Sequence, residues 1–489
     1  MSAPAYTISP DLEQHQPLEE VLAHLQAHKD EGRLPSSTLV QQCLDAQPEE
    51  PNPHLNYAAV GELLVEFEEW EAAEDMAIKA LKALPRFGAA FKLLGKSLAG
   101  AGRPDEAAIC HRYGLPPAML QKHFNDVPVK WVQSDQSVAE SMIKKVAFPS
   151  ENWTVDPPRQ LRERVITEFE QTSLTSKEAY TTILQQGRLW FDGFNTVAWD
   201  RYGNIVRDLY RGYAEVVQGS LGDKKPLELE GRVCLLGNRN AVNYYHWMND
   251  VLPRLEVLRA SGESLDAIDY YICNPIQHDF QRQTLTKLGI DEKRLINMND
   301  AQYLTADELL MPVYGSNSLG KSQAAWNPAF YKREYLQSST APERDLKLYI
   351  SRGSKGARGV INDEEVIENL LERGFTIVRA ENLTVEEQAS MFARAKVVLG
   401  PHGAGFSNIV FCQPGTKIIE LFNAHIVPCF HVISEQTGLE HYIHFCDVYD
   451  EDSRPTDNEK YHRTSDARRV SPFRVEPADI DDILAFAEV

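Results

Sequence analysis

The residues best suited to do chemistry lie between Lys347 and Asn423. An apolar run, Leu348-Tyr349-Ile350, ends in Ser351-Arg352 and a loop, Gly353-Ser-Lys-Gly-Ala-Arg358, rich in glycine and positive charge. Arginine offers a planar fork of donors and glycine permits close backbone approach, so a strand that delivers such a loop suits a phosphate group. A second run, Val397-Val-Leu-Gly400, leads into Pro401-His402-Gly403-Ala404-Gly405-Phe-Ser407-Asn408. It reads as a strand, a tight loop and a helix starting near Gly405, whose unpaired first amides form a cradle for a diphosphate. His402 is there either a phosphate donor or a general acid for the leaving group; the plainer reading has it pinning the loop by hydrogen bonds. A third run, Lys417-Ile-Ile-Glu420, puts a carboxylate at a strand's end, where two oxygens suit the paired hydroxyls of a ribose or, alternatively, a surface salt bridge.

A separate cluster, Asn243-Tyr-Tyr-His246-Trp247-Met-Asn-Asp250-Val-Leu-Pro253-Arg254, has helical spacing, so His246 and Asp250 share a face. The plain alternative is a capping and packing motif with Trp247 in the core. Asp450-Glu-Asp452 has the spelling of a cation-chelating pair but lies in an acidic stretch, and a solvated charge run is the safer reading. His441-Tyr-Ile-His444 has nearly ligand-like spacing without an identifiable acidic or Cys partner, which favours core or surface histidines.

Taken in order, Ser351-Arg352, Arg358, Asn362-Asp-Glu364, Gly374-Phe375, Glu387-Gln388, Gly400-Pro-His-Gly-Ala-Gly405 with Asn408, and Pro414-Gly415 with Glu420 resemble glycosyltransferase family 61. The resemblance covers about residues 185 to 450. It implies a GT-B pair of Rossmann-like lobes, a nucleotide-sugar donor, usually a UDP-sugar, and inversion at the anomeric carbon. It also matches Ser351, Arg352, Arg358, His402, Gly403, Ala404, Gly405 and Glu420 to the donor-nucleotide motifs, and His246, Trp247 and Asp250 to a His-Trp-x-x-Asp segment. Inverting transfer needs one base for the acceptor hydroxyl. Asp250 is the favoured base with His246 positioning the acceptor or sugar, and the exchanged roles stay open. Asn243, Trp247 and Asn408 are expected to position acceptor or sugar. No obligatory metal or other cofactor is expected, since arginines and a helix start can stabilise the leaving diphosphate.

These groups need elements to hold them. Asp269–Cys273, Glu308–Pro312, Lys347–Ser351, Phe375–Arg379, Ala395–Gly400 and Lys417–Leu421 are short apolar runs between helical stretches, the pattern of parallel sheets with crossover helices. Upstream, Tyr57, Gly61, Leu64 and Ala73 recur as Phe91, Gly95, Leu98 and Ala107, each displaced by 34 positions, which is the tetratricopeptide period. The fold class expected is therefore α/β, a GT-B-type pair of lobes behind an all-α tetratricopeptide-like domain. Its boundaries fall at residues 1–125 for the repeats, 126–158 for a proline-bearing linker, 159–325 for the acceptor lobe and 326–489 for the donor lobe, which ends in a helix from Pro477. The repeats either pack on the body, self-associate, or hold a protein partner.

Composition narrows the rest. With 25% charged residues and a net charge of -21, the chain folds but repels nucleic acid, whose binding needs clustered Lys and Arg. No secretory signal or membrane-spanning run is read, and a cytoplasmic location is expected. Seven scattered cysteines without a C-x-x-C pair point to buried thiols. Two readings rival the transferase: a silent scaffold whose repeats recruit a partner, and a nucleotide-sugar epimerase on similar lobes.

Overall fold

A computed structural model describes residues 18–46, 52–124, 130–135, 141–161, 166–222, 224–314, 324–336, 342–353, 358–423, 425–448 and 471–489. Asp450-Glu-Asp452 and residues 354–357 of the glycine-rich loop lie outside them. By its contacts the chain divides into two units. One comprises Met1–Gln136, Arg188–Glu228 and Gln302–Thr305; the other comprises Ser137–Gly187, Leu229–Ala301 and Ala306–Val489. This division does not follow boundaries at 125, 158 and 325, because the segments from Arg188 and Gln302 return to the first unit. The stretch read as a linker also holds two strands, Met142–Phe148 and Glu151–Thr154.

The first unit is an N-terminal helical region with the short strands Trp131–Val132, Thr196–Trp199 and Ile205–Val206. Helices run over Leu18–Asp30, Ser37–Asp45, Pro53–Glu66, Trp70–Ala83, Gly88–Gly100, Pro104–Cys110 and Pro117–Phe124. Ser36 caps the second by accepting from the Leu39 amide, and Pro53 and Pro104 occupy first turns, where a missing N–H costs nothing. Gly61 lets Leu93 close against the backbone of Pro53–Glu66. Leu64, Ala73, Met76, Leu81, Phe91, Leu94 and Leu98 fill the core between the helices. Trp190, Trp199 and Val217 form a separate small core of this unit.

The second unit is α/β and, besides two two-stranded sheets, carries strands of two larger ones. In the first, Leu227–Leu235, Tyr270–Cys273 and Leu295–Asn297 are parallel, whereas Met142–Phe148 runs antiparallel to Ala179–Phe191. It is thus a mixed sheet and not a wholly parallel one. The other has six strands, all parallel, in the order Phe375–Val378, Leu346–Ile350, Ala395–Pro401, Lys417–Phe422, Glu440–Phe445, Arg159–Gln160. Between them run helices Asp363–Glu372, Val385–Ala393 and Cys429–Thr437 and a 3-10 helix, Ala404–Phe411. Thr384 and Glu387 close a capping box on the second of these helices.

Because the chain leaves Leu346–Ile350 for the edge and returns to its other side at Ala395–Pro401, the winding direction reverses between those two strands. Ligands in open α/β sheets gather outside the carboxyl ends at such a reversal. One apolar core containing Leu348, Ile350, Val398 and Phe406 also includes Cys234, Leu236, Trp247, Val251 and Tyr271, so residues of both sheets pack together within this unit. All seven cysteines are buried as thiols, and burial pushes Cys43, Cys110, Cys234 and Cys273 up to about 12. Among the described residues no helix is long and apolar enough to cross a membrane.

Candidate functional site

Both glycine-bearing loops leave the carboxyl ends of the two strands that flank the reversal, and they converge. Arg352 Nη1 donates to the His402 carbonyl at 3.3 Å, and a methyl group on Gly403 would collide with that same guanidinium nitrogen. Gly400 is needed for the same approach: a Cβ there would sit 2.9 Å from the Ile350 carbonyl oxygen. Desolvation lowers the Arg352 pKa, though a guanidinium keeps its charge at any ordinary pH. Arg358 holds a left-handed backbone at φ 61° and lies close enough for its charge to act on His402 and Glu420. Ala404 and Gly405 open the eight-residue 3-10 helix that follows, and helix geometry leaves their amides without intrahelical partners.

Glu420 is not placed as expected. It has no exposed surface, and each carboxyl oxygen meets a histidine: Oε1 lies 2.5 Å from His402 Nδ1 and Oε2 3.1 Å from His441 Nε2. Sheet register explains the meeting. Gly400 pairs with Glu420 and Ile418 with His441, so alternation puts His402, Glu420 and His441 on one face of adjacent strands. Beyond them Ser434 Oγ lies 2.8 Å from His441 Nδ1. With both oxygens so engaged, Glu420 is turned toward protein and not toward ribose hydroxyls. Burial pushes the Glu420 carboxyl well above the usual range and His402 well below its own; Arg358 opposes the first shift and, with His425, Arg352 and His441, adds to the second.

Three other residues expected at the ligand already have protein partners. Trp247 is fully buried, its indole N–H given to Thr284 Oγ1 at 2.8 Å. Asn408, also fully buried, accepts from the Tyr244 hydroxyl at 2.7 Å and donates to Gln388 at 2.7 Å. Ser351 gives its hydroxyl to Asp363 at 2.6 Å and accepts from the Gly353 amide, shaping the loop from beneath. Asn243 is exposed and caps the next helix by accepting from the Tyr245 amide.

The His246–Asp250 pair does form, with Nδ1 2.7 Å from Oδ2. It spans a π-helical turn, Trp247–Val251, closed by the Leu252 amide on the Trp247 carbonyl. Pro253, which has no amide to donate, follows directly, and Arg254 pins the turn by reaching both the Asp250 and Gly237 carbonyls. The Asp250 side chain is 9% exposed and that of His246 32%, so the carboxylate is the buried partner and the imidazole the accessible one.

Within this unit the two motifs touch. Asn249 Nδ2 reaches Ser407 at 3.5 Å, and Tyr244 binds Asn408 on the Ala404–Phe411 helix. Tyr245 packs edge-on against Phe430, whose ring is 5.3 Å from His402. The sequence passes over three residues here, Ser434, His425, whose ring is 5.7 Å from His402, and Phe430, and it marks His441 as a core or surface histidine, which is buried. Only His441 had left a signal, as one half of a histidine pair. Elsewhere, the first unit has a cavity of about 640 Å³ bordered by Glu71, Glu74, Asp75, Arg103 and Lys122.

The family model Glycosyltransferase 61 matches residues 244–419, from just before His246 to just before Glu420. A beta-1,2-xylosyltransferase of Arabidopsis thaliana is 25% identical over 173 residues, 31% of this chain and 30% of that protein. A beta-1,2-xylosyltransferase of Oryza sativa subsp. japonica is 29% identical over 133 residues, 25% of this chain and 23% of its own. The chain thus spans less than a third of the length of these curated relatives. Over residues 244–419 this chain carries a glycosyltransferase family 61 catalytic region.

Proposed function

We propose that the protein transfers a sugar from a UDP-sugar to an acceptor hydroxyl with inversion, in a GT-B arrangement of its two sheets. The observation that carries this reading is the convergence of the Arg352 and His402–Gly405 loops at the winding reversal. There Arg352 and Arg358 supply positive charge, and the amides of Ala404 and Gly405 supply donors, to a diphosphate that gains charge as it leaves. This counter-charge serves without an obligatory metal.

The exposure of the upstream pair favours His246 over Asp250 as the base. Asp250 accepts from His246 Nδ1–H, which leaves the Nε2 lone pair free to take the acceptor proton. The acceptor oxygen then bonds to the anomeric carbon as the bond to UDP breaks, and the electron pair leaves on the diphosphate. Since UDP-sugars commonly carry an α linkage, the β linkage in the relatives' names fits inversion, and UDP-xylose is the donor to try first. The N-terminal helices, with tetratricopeptide spacing and a charged cavity, hold a partner or acceptor protein.

Calorimetry on the full chain with UDP, UDP-xylose and UDP-N-acetylglucosamine tests the reading. One of them is expected to bind and to raise thermal stability. No binding by a folded protein would leave the scaffold reading instead, and a sugar changed without any acceptor would identify an epimerase.

A further inference from the structure

His402 sits at the end of a buried hydrogen-bonded chain, Ser434–His441–Glu420–His402, whose members are at most 6% exposed. We propose that Glu420 works as a neutral carboxylic acid and, held by His441, fixes His402 in the tautomer whose Nε2–H is offered to the donor's phosphate. Glu420 and His441 are positioning residues and His402 the binding residue. This deepens the UDP-sugar reading and rests on it for the identity of the ligand.

The protons can be placed one by one. Burial penalises an imidazolium and a carboxylate alike, and it moves His402 and Glu420 toward the same outcome, both neutral. A neutral pair 2.5 Å apart has one proton between Oε1 and Nδ1, and in the proposed arrangement it is that of the Glu420 hydroxyl. The single proton of His402 is then on Nε2. On the other side His441 Nε2–H donates to Oε2, and His441 Nδ1 accepts from the Ser434 hydroxyl. No donor in the chain faces another donor.

Charge explains why an uncharged acid belongs here. The groups acting on His402 are Arg352 and Arg358 from the loop after Leu346–Ile350, His425 from the segment after Lys417–Phe422, and His441 from Glu440–Phe445. An ionised Glu420 would cancel one of the two arginine charges that a diphosphate needs. A protonated one leaves both, and it still orients the imidazole through a hydrogen bond. The His402 ring, stacked 5.0 Å from Phe422 and tilted against Phe430, is held in plane while it does so.

Infrared spectroscopy of the ligand-free protein at neutral pH tests the protonation directly. A carboxylic-acid C=O band that shifts in D2O is expected, absent in Glu420→Gln and displaced in His441→Phe, which removes the donor to Oε2. No such band in the wild type would overturn the proposal, and that result needs neither ligand nor variant. Binding tests the consequence: Glu420→Gln, whose amide can donate to Nδ1 as the acid does, is expected to hold UDP within about threefold of wild type. His402→Ala is expected to weaken it about tenfold or more. A Glu420→Gln loss as large as that of His402→Ala would show that the anion is required and would also overturn the proposal. Should the wild type bind no UDP at all, the transferase reading falls, while the infrared band still decides the state of Glu420.

Discussion

Two of the histidine–carboxylate pairs within one unit of this chain are built oppositely. In His246–Asp250 only the acid is buried, on a π-turn, and the imidazole stays 32% exposed. In His402–Glu420 both members are enclosed on a parallel sheet, and a second histidine closes the acid's other oxygen. A buried carboxylate behind an accessible imidazole orients a group that can exchange protons with a substrate. A carboxyl enclosed by two histidines fixes a tautomer and exchanges little with solvent. On the proposed reading the same residue types serve chemistry in one place and binding in the other, and burial decides which.

The largest expected effect separates them by kinetics. His246→Ala should lower kcat by about 10²- to 10⁴-fold, the range for loss of a general base, while the UDP Kd from calorimetry stays unchanged. A variant that instead weakened UDP and kept kcat would make His246 a binding residue and erase the contrast.

The next effect belongs to the donor side. Arg352→Ala should weaken UDP about 10- to 100-fold, as expected for a lost charge-assisted bond to phosphate. Gly403→Ala should reach part of that loss with Arg352 still present, because the added methyl displaces its guanidinium. Equal UDP affinity in wild type and both variants would remove the diphosphate from this loop.

Much of this was legible before any coordinates. Each apolar run from Asp269 to Leu421 overlaps a strand, since short apolar stretches bounded by turns are what buried parallel strands require. The mixed character of the first sheet was not legible, because antiparallel pairing of Met142–Phe148 with Ala179–Phe191 depends on register between distant segments. The π-turn was hidden for a local reason: a spacing of four reads the same on an α-helix. Glu420 shows the limit most clearly. Its place at a strand's carboxyl end was readable, but its partners stand 18 and 21 positions away on neighbouring strands. Trp247, Ser351 and Asn408 have the polar groups that ligands use, and only their partners Thr284, Asp363 and Gln388 reveal that those groups are already spent.

His431 gives the comparison a third, purely structural histidine. It is buried, its Nε2–H is donated to the Asp156 carbonyl at 2.6 Å, and desolvation lowers its pKa to about 4. In the unfolded chain an imidazole takes a proton near pH 6.5. Between those values the unfolded state therefore binds more protons, and stability falls as pH falls through the window. The loss should be about 2 kcal/mol at pH 5. His431→Gln, which keeps an N–H donor but does not titrate, should show a smaller drop in Tm between pH 7 and pH 5 than the wild type, with unchanged UDP affinity at pH 7. An equal drop in both would place the acid sensitivity elsewhere.

The smallest expected effect tests whether Trp247 belongs to the catalytic pair or only carries it. Its indole lies between His246 and Asp250 in sequence yet points into the core, where Thr284 Oγ1 accepts its N–H and itself donates to the Phe280 carbonyl. Thr284→Val keeps the volume and removes that acceptor, so one buried N–H is left unsatisfied at a cost of about 1 kcal/mol. Tm should fall by a few degrees, while kcat and the acceptor KM stay at wild-type values, because the π-turn is held independently by Arg254 and by the Leu252 amide. A raised acceptor KM with unchanged Tm would mean that the ring turns toward substrate during turnover. Trp247 would then join His246 on the accessible side of the comparison.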